Sequence, residues 1–337
     1  MKTDIKTLFS RNKALIVLSL ISVACGVVSC VLGEMLLPPT VAPLAALYFL
    51  PLIVAPLAAL YLFDTDSKRT FSLIVSAILL GINIAVILLG YCATLFAPCA
   101  IILSAITAYA FLHGQSKADT SYLMTVIFAL FSVGACVLLA MMHTGEWTLE
   151  AAKTFYLDLH DSLRQAVIKA TEQTPDLGVD VELMTSIFDL QVSLLISYFL
   201  IGAFAVVGLS MKLFRFIVRK VADNEQPIIE WRFETTNIFA YAYLVLAIAS
   251  MFVYNPDSVF AVSVLNLYMI FVAVFAYVGF NFVVALLSGS MSRGRAIFTV
   301  VALALLLSSF AIQLLAILGV MFTIRNNRKE HTDISTH

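Results

Sequence analysis

Long apolar runs, interrupted by one long polar segment, restrict the folds that are open to this sequence. Five such runs precede residues 143–190 and four follow them. A membrane-crossing helix needs about 20 mostly apolar residues, and most of the runs reach that length. The chain is 61% hydrophobic and 12% charged, whereas soluble domains carry about 25% charged residues. The sequence therefore predicts an all-α, polytopic membrane helix bundle of eight or nine spans without an independent soluble domain.

The positions of charged and turn-forming residues predict where the spans begin and end. Residues 71–112 lack charge over about twice the length of one span, so two helices are expected, with a turn at Gly90-Tyr91. The span over residues 41–63 contains three prolines, which bend or end helices. It is either a broken, cavity-lining helix or a re-entrant segment, although proline is also commoner in membrane helices than in soluble ones. The other predicted spans are residues 14–35, 121–142, 191 to beyond 210, 236–254, 259–287 and 296–324.

The polar segment predicts a helical arm on the membrane surface. Apolar residues from Leu149 to Ala170 recur at alternating steps of three and four, which is the pattern of one helix stripe. A helix over about residues 146–173 is expected, and the breaker cluster at residues 174–178 ends it. Asp180 is placed to N-cap a second helix that continues into the next span. The arm is either a lid or docking element over a cavity, or an amphipathic helix that only packs on the spans or on lipid.

Charge along the chain predicts three parts and an orientation. The parts are a five-span bundle (1–142), an extracytoplasmic amphipathic arm (143–190) and a four-span bundle with a polar tail (191–337). The arm has nine acidic and three basic residues, whereas Lys and Arg collect at the N-terminus and after the second, fourth, sixth and eighth spans. Cytoplasmic loops are enriched in Lys and Arg, so the N-terminus is expected in the cytoplasm. With nine crossings the basic C-terminal tail would lie outside, where Lys and Arg are not expected. One miscounted segment would remove this conflict.

The predicted spans offer little acid–base or metal chemistry. Glu34 is their only charged residue. Intramembrane charges usually mark proton relays or ion pathways, so neither is expected here. The histidines match no metal or triad spacing, no phosphate-binding loop motif is present, and the five cysteines form no C-x-x-C pair. No catalytic residue, metal site or cofactor is therefore predicted, and the net charge of −1 gives no reason to expect a nucleic-acid partner.

Neutral polar residues are the remaining candidates for a site within the membrane. Asn266, Tyr277 and Asn281 recur at helical spacing in the eighth span, while Asn83 and Gln313 are single amides in the third and ninth. An amide in hydrocarbon needs a hydrogen-bond partner. These residues either bind an uncharged or zwitterionic small molecule or join helices through hydrogen bonds worth about 1 kcal/mol each. The first interpretation requires a cavity that includes some of them.

The second half of the chain combines an acidic arm, a span with a basic end, and a loop that carries Pro227, Trp231 and Arg232. After further spans it ends in the basic stretch at residues 325–329. Over residues 145–330 this arrangement resembles the YybS-like family of bacterial integral membrane proteins, a domain of unknown function. The resemblance implies a bacterial cytoplasmic membrane and transfers no catalytic residue. The N-terminal half is similar in style to the substrate-capture subunits of energy-coupling-factor vitamin transporters, which are compact bundles of short apolar helices.

Two non-enzymatic functions are favoured by this sequence, and a membrane-embedded enzyme ranks third because no acid–base or metal constellation is visible. The first is capture or transport of a neutral or zwitterionic small molecule, energised by a separate ATPase module because the chain lacks a nucleotide motif. The second is a scaffold or assembly partner for an envelope complex. Its candidate partner-binding residues are Tyr156, Leu159, Leu163, Trp231 and Arg232. The lipid bilayer is the expected partner in both cases.

Overall fold

Every secondary-structure element that the computed structural model describes is an α-helix, which confirms the predicted all-α class. The described residues are 5–36, 49–64, 70–88, 96–173, 180–221, 233–253 and 258–334. The helices are α1 (Ile5–Leu36), α2 (Pro51–Phe63), α3 (Thr70–Leu88), α4 (Phe96–Leu112), α5 (Lys117–Thr144), α6 (Leu149–Glu172), α7 (Val181–Ser193), α8 (Leu195–Val221), α9 (Asn237–Met251), α10 (Val259–Leu287) and α11 (Arg293–Ile334).

The described helices have the length and composition of membrane segments. Four of them, α3, α5, α8 and α10, are long and apolar enough to cross a membrane. Shorter apolar segments are Lys13–Val28, α2, α4, α9 and Phe310–Asn326. Several membrane-compatible helices are thus present in the part of the chain that the structure describes, while the count of eight or nine spans stays a prediction.

Helix boundaries follow the sequence pattern closely where local signals are strong. The eighth predicted span coincides with α10, and α6 begins and ends within three residues of the predicted arm helix. Asp180 caps α7 as expected, because its Oδ1 accepts the Glu182 N–H at 3.1 Å. The expected turn at Gly90-Tyr91 and the breaker cluster at residues 174–178 lie outside the described residues.

Two helices depart from the expected pattern. The second arm helix does not continue directly into the next span, because α7 ends at Ser193 and α8 begins at Leu195. The final helix α11 continues to Ile334, through the segment expected to be a polar tail. No Pro or Gly follows Gly319 in that segment, so nothing in the sequence forces the helix to stop at the end of the apolar run.

The described helices divide into two compact units, and the division falls within α8. The first unit comprises Met1–Gly178 and Gly202–Trp231, and the second comprises Val179–Ile201 and Arg232–His337. The arm helix α6 therefore belongs to the first unit, while α7 belongs to the second. The predicted three-part division is a different partition and stays a prediction.

The short helix α2 lies at the centre of the first unit. It packs against α1 and α4, and nine of its 13 residues are buried. Pro51 stands in its first turn, where a missing N–H costs nothing, and Pro56 lies inside it. At about 1.5 Å per residue its 13 residues span roughly 20 Å, which is less than the hydrocarbon thickness of a bilayer. The described part of the proline-rich segment is thus a short buried helix.

The second unit is built on the packing of α10 against α11, with α9 beside them. Phe275 of α10 is fully buried and packs against Tyr243 of α9, with ring centroids 5.5 Å apart and the ring planes tilted by 58°. The hydroxyls of Thr235 and Thr323 are both buried and share a hydrogen bond of 2.9 Å. Pairing these hydroxyls avoids the cost of leaving polar groups unsatisfied in an apolar interior.

Candidate functional site

A cleft of about 690 Å³ lies between the end of α5 and one face of α6, within the first unit. This volume is in the range of about 300–1,000 Å³ that is usual for small-molecule sites. We call it the α5–α6 cleft. It is lined by His143, Thr144, Glu146, Thr148, Glu150, Ala151, Thr154, Phe155, Asp158, Leu159 and Ser162.

Three local features hold α6 beside α5 and so form the cleft. Gly145 ends α5 with φ 73° and donates its N–H to the Met141 carbonyl. This left-handed conformation strains any residue with a Cβ, so glycine is required at this turn. Thr148 caps α6 by accepting the Ala151 N–H at 3.1 Å. The Tyr156 hydroxyl donates to the Cys136 carbonyl at 2.8 Å, which fastens α6 along α5.

Acidic and hydroxyl groups dominate the wall that α6 contributes. Glu150, Thr154 and Asp158 follow one another at steps of four residues, so they lie on one helix face. Glu150 and Asp158 are about 12 Å apart along the helix axis, and the Thr154 hydroxyl lies between their carboxylates. The His143 and Phe155 rings, with centroids 5.0 Å apart, supply the aromatic part of the wall. This lining suits a small molecule that carries an amine and hydrogen-bonding groups.

The apolar stripe of α6, which predicted the arm, gave no indication of this cleft. The recurrence of Glu150, Thr154 and Asp158 at four-residue steps was the available signal. What the sequence could not indicate is that this face turns toward the end of α5, since that depends on the turn at Gly145 and the contact of Tyr156. A metal site is not indicated, because no group of three or more His, Cys, Asp or Glu side chains could hold an ion among the described residues.

Two of the predicted substrate-binding amides bond to the backbone of neighbouring helices. Asn83 of α3 is buried, and its Oδ1 accepts the N–H of Ala97 in the first turn of α4 at 3.2 Å. Asn266 of α10 is buried and inserts at the junction of α7 and α8. Its Oδ1 accepts the Ser197 N–H at 3.0 Å, and its Nδ2 donates to the Ser193 carbonyl at 2.8 Å. A continuous helix would join those two backbone groups directly, so this amide takes the place of that bond and explains the interruption at Leu194.

The other three predicted residues are spread along the second unit. Asn281 donates to the Tyr277 carbonyl of its own helix at 2.7 Å, and the Tyr277 ring lies edge-on to Phe233 with centroids 5.2 Å apart. Tyr277 is about 16 Å from Asn266 along the helix axis, at about 1.5 Å per residue. Gln313 is exposed on α11. None of the five lines the α5–α6 cleft, and their role in substrate binding stays a prediction.

The predicted partner-binding residues fall into three groups. Tyr156 is half-buried against α5, and Leu159 is half-buried in the α5–α6 cleft. Leu163, one turn further along α6, is 49% exposed. Trp231 and Arg232 lie outside the described residues. The arm stripe is thus covered in its middle, from Ala152 to Leu159, and exposed at Leu149 and from Leu163 onward.

Asp64 is a buried carboxylate at the start of the polar stretch 64–69. It follows α2 directly and has no exposed surface. Its Oδ2 accepts both the backbone N–H and the hydroxyl of Ser72, at 2.8 and 2.6 Å. These bonds satisfy a free donor in the first turn of α3 and place a negative charge at the positive end of that helix. Nothing local in the sequence distinguishes Asp64 from an exposed loop residue.

Comparison with known proteins identifies a family for this chain but no function. The family model described as "Predicted membrane protein (DUF2232)" matches residues 35–321. No curated protein and no solved structure matches the chain. The matched range contains most of the described apolar helices, including all four that are long enough to cross a membrane. The chain therefore belongs to the DUF2232 family of predicted membrane proteins.

Proposed function

We propose that this membrane protein captures a small zwitterionic or amine-bearing molecule in the α5–α6 cleft. The observation that carries the proposal is the lining of the cleft, which combines the carboxylates of Glu146, Glu150 and Asp158 with hydroxyls and an aromatic ring. A molecule with a protonated amine gains charge-assisted hydrogen bonds there. The hydroxyls and the His143 ring offer partners for a polar or anionic part of the same molecule.

The proposal includes an orientation and an energy source. The acidic arm and the basic loops favour an outer cleft, a cytoplasmic N-terminus and a bacterial cytoplasmic membrane. Because the chain has no nucleotide-binding motif, uptake would need a separate ATPase module. The similarity in style of the N-terminal half to substrate-capture subunits agrees with this function, and a non-enzymatic role is part of the proposal.

Mass spectrometry of the protein, extracted gently from its native membrane, tests the proposal. A small amine-bearing molecule should co-purify with the wild type. The Asp158→Asn variant should retain less of that molecule per protein. The matched control is Asp161→Asn, which changes an exposed aspartate of the same helix outside the cleft. A molecule retained equally by both variants would place the binding site elsewhere, and a co-purifying ATPase would identify the energising partner.

A scaffold role is the second candidate, and the exposed side of α6 favours it. Leu157 and Leu163 are 55% and 49% exposed, so this helix presents apolar surface to a partner chain or to lipid. On this alternative a stoichiometric envelope protein co-purifies and no metabolite is enriched. Deletion of residues 149–173 should then release that partner, and membrane complexes that stay intact after the deletion would exclude the scaffold.

A further inference from the structure

At the opposite end of α5 from the cleft, a lysine side chain is largely buried and pairs with no acidic residue that the structure describes. Lys117 is the first residue of α5 and is 8% exposed. Within the part of the chain that the structure describes, its ammonium makes no hydrogen bond or ion pair. Asp119, the acid of the same helical turn, is exposed and does not pair with it. Most of the Lys117 side chain is covered by protein, and an anion beside its ammonium would offset the lost hydration.

Two further cations lie beside Lys117 on α8. Arg215 and Lys212 are the charged residues whose fields act on the Lys117 ammonium. A contact between α5 and α8 supports this placement, because the Ser121 hydroxyl donates to the Met211 sulfur at 3.1 Å. Ser121 lies one turn after Lys117 and Met211 lies one turn before Arg215, so the helices run antiparallel here and bring the basic residues together.

The position of Lys117 is unfavourable in three ways unless an anion is bound. Its charge is largely removed from water, it stands at the positive end of the α5 dipole, and it faces like charges. Lys212 differs from Lys117 because its side chain is exposed on α8. A single anion between α5 and α8 relieves all three costs at Lys117.

The surroundings indicate which kind of anion fits. Leu209, Lys212 and Phe216 follow one exposed stripe of α8 at steps of three and four, and the two apolar members are 50% and 60% exposed. Both α5 and α8 are long and apolar enough to cross a membrane. Cations at the ends of such helices lie at the level of lipid headgroups, and apolar surface next to them suits acyl chains.

We propose that Lys117, Lys212 and Arg215 bind the phosphate group of an anionic phospholipid headgroup. The ammonium and guanidinium groups donate charge-assisted hydrogen bonds to the phosphate oxygens. This site is separate from the α5–α6 cleft and does not depend on the function proposed for that cleft. Its effect is to fix the start of α5 against α8 at the membrane surface.

Native mass spectrometry of the full-length protein in detergent tests the site. The probes are phosphatidylglycerol, phosphatidylcholine and inorganic phosphate. We expect phosphatidylglycerol to bind the wild type and Lys117→Arg, and to bind Lys117→Gln about tenfold more weakly, as expected for the loss of one charge-assisted contact. The matched control Lys220→Gln, which removes an exposed charge at the end of α8, should bind like the wild type.

A thermal unfolding measurement in lipid-free detergent separates binding from folding. Lys117→Gln should unfold at the same temperature as the wild type or higher, because it removes an unpaired buried charge, and added phosphatidylglycerol should stabilise only the wild type. Equal retention of phosphatidylglycerol by Lys117→Gln and the wild type would overturn the site. Stabilisation by inorganic phosphate alone, equal to that by phosphatidylglycerol, would overturn the lipid assignment in favour of a soluble phosphate.

Discussion

Gly279 of α10 and Gly319 of α11 face each other so closely that neither position has room for a side chain. A Cβ on Gly279 would collide with the Leu315 carbonyl oxygen, and one on Gly319 would collide with the Phe275 carbonyl oxygen. Small residues that let helix backbones touch are a common means of helix association in membranes. This pair therefore fixes how the two longest helices of the second unit pack.

Gly279→Ala should destabilise the second unit by about 3 kcal/mol, because backbone atoms cannot move aside as a flexible side chain can. Thermal unfolding in detergent, followed by far-ultraviolet circular dichroism, measures the effect. Gly208→Ala is the control, since a Cβ at Gly208 on α8 meets nothing within 4 Å. That change should leave stability unaltered or raise it by up to about 1 kcal/mol. Similar losses for both variants would contradict the packing described for Gly279.

Asn266→Leu should destabilise the junction of α7 and α8. The change removes the amide that joins the Ser197 N–H to the Ser193 carbonyl, and unsatisfied buried groups of this kind cost about 1–3 kcal/mol each. Hydrogen–deuterium exchange at Ser197 should increase, and the unfolding temperature should fall. Asn281→Leu on the same helix is the control, because Asn281 bonds to a carbonyl of its own helix. Unchanged exchange at Ser197 in Asn266→Leu would show that the amide is dispensable.

Asp64→Ala should lower stability by about 2 kcal/mol, because it removes the side chain that caps α3 through Ser72. Chemical or thermal unfolding of the purified protein gives the free-energy difference. Asp119→Ala removes an exposed carboxylate from the first turn of α5 and should change stability by less than about 0.5 kcal/mol. Comparable effects from the two variants would mean that the burial of Asp64 does not matter for folding.

Tyr156→Phe should loosen α6 from α5, because it removes the hydrogen bond to the Cys136 carbonyl. Limited proteolysis within the arm should become faster, while Tyr198→Phe, which alters an exposed tyrosine of α8, should have no effect. An arm that remains protected in Tyr156→Phe would show that other contacts suffice to dock it.

The same tyrosine predicts how docking of the arm depends on pH. Burial, the largest cause, raises the pKa of Tyr156 in the folded protein. The neutral phenol is therefore favoured in the docked state, and its contribution is complete below the ordinary tyrosine pKa of about 10. Docking should weaken as the pH rises above that value and approaches the raised pKa. Proteolysis of the arm that did not accelerate between about pH 9 and pH 11 would contradict this account.

Much of the helix layout could be predicted from the sequence, whereas the candidate site could not. The limits of α10 and the caps at Asp180 and Thr148 depend on apolar runs and on capping side chains a few residues away. The interruption at Leu194 depends on Asn266, far along the chain, so it left no local signal. The close approach of Gly279 to Gly319 likewise joins residues far apart in the chain and left no local signal.

By itself the sequence determined that this chain is an all-helical membrane protein with an amphipathic arm, because length, apolarity and helical periodicity are properties of contiguous residues. Only the tertiary structure decided that Asp64 is interior, that the acidic face of α6 meets the end of α5, and that Lys117 lies beside Arg215. Each of these features depends on which helix faces which. Residues that are distant in the sequence determine that arrangement. A nearly uniform apolar surface offers many equivalent faces, so the choice among them is made by a few glycines, amides and hydroxyls whose partners lie on other helices.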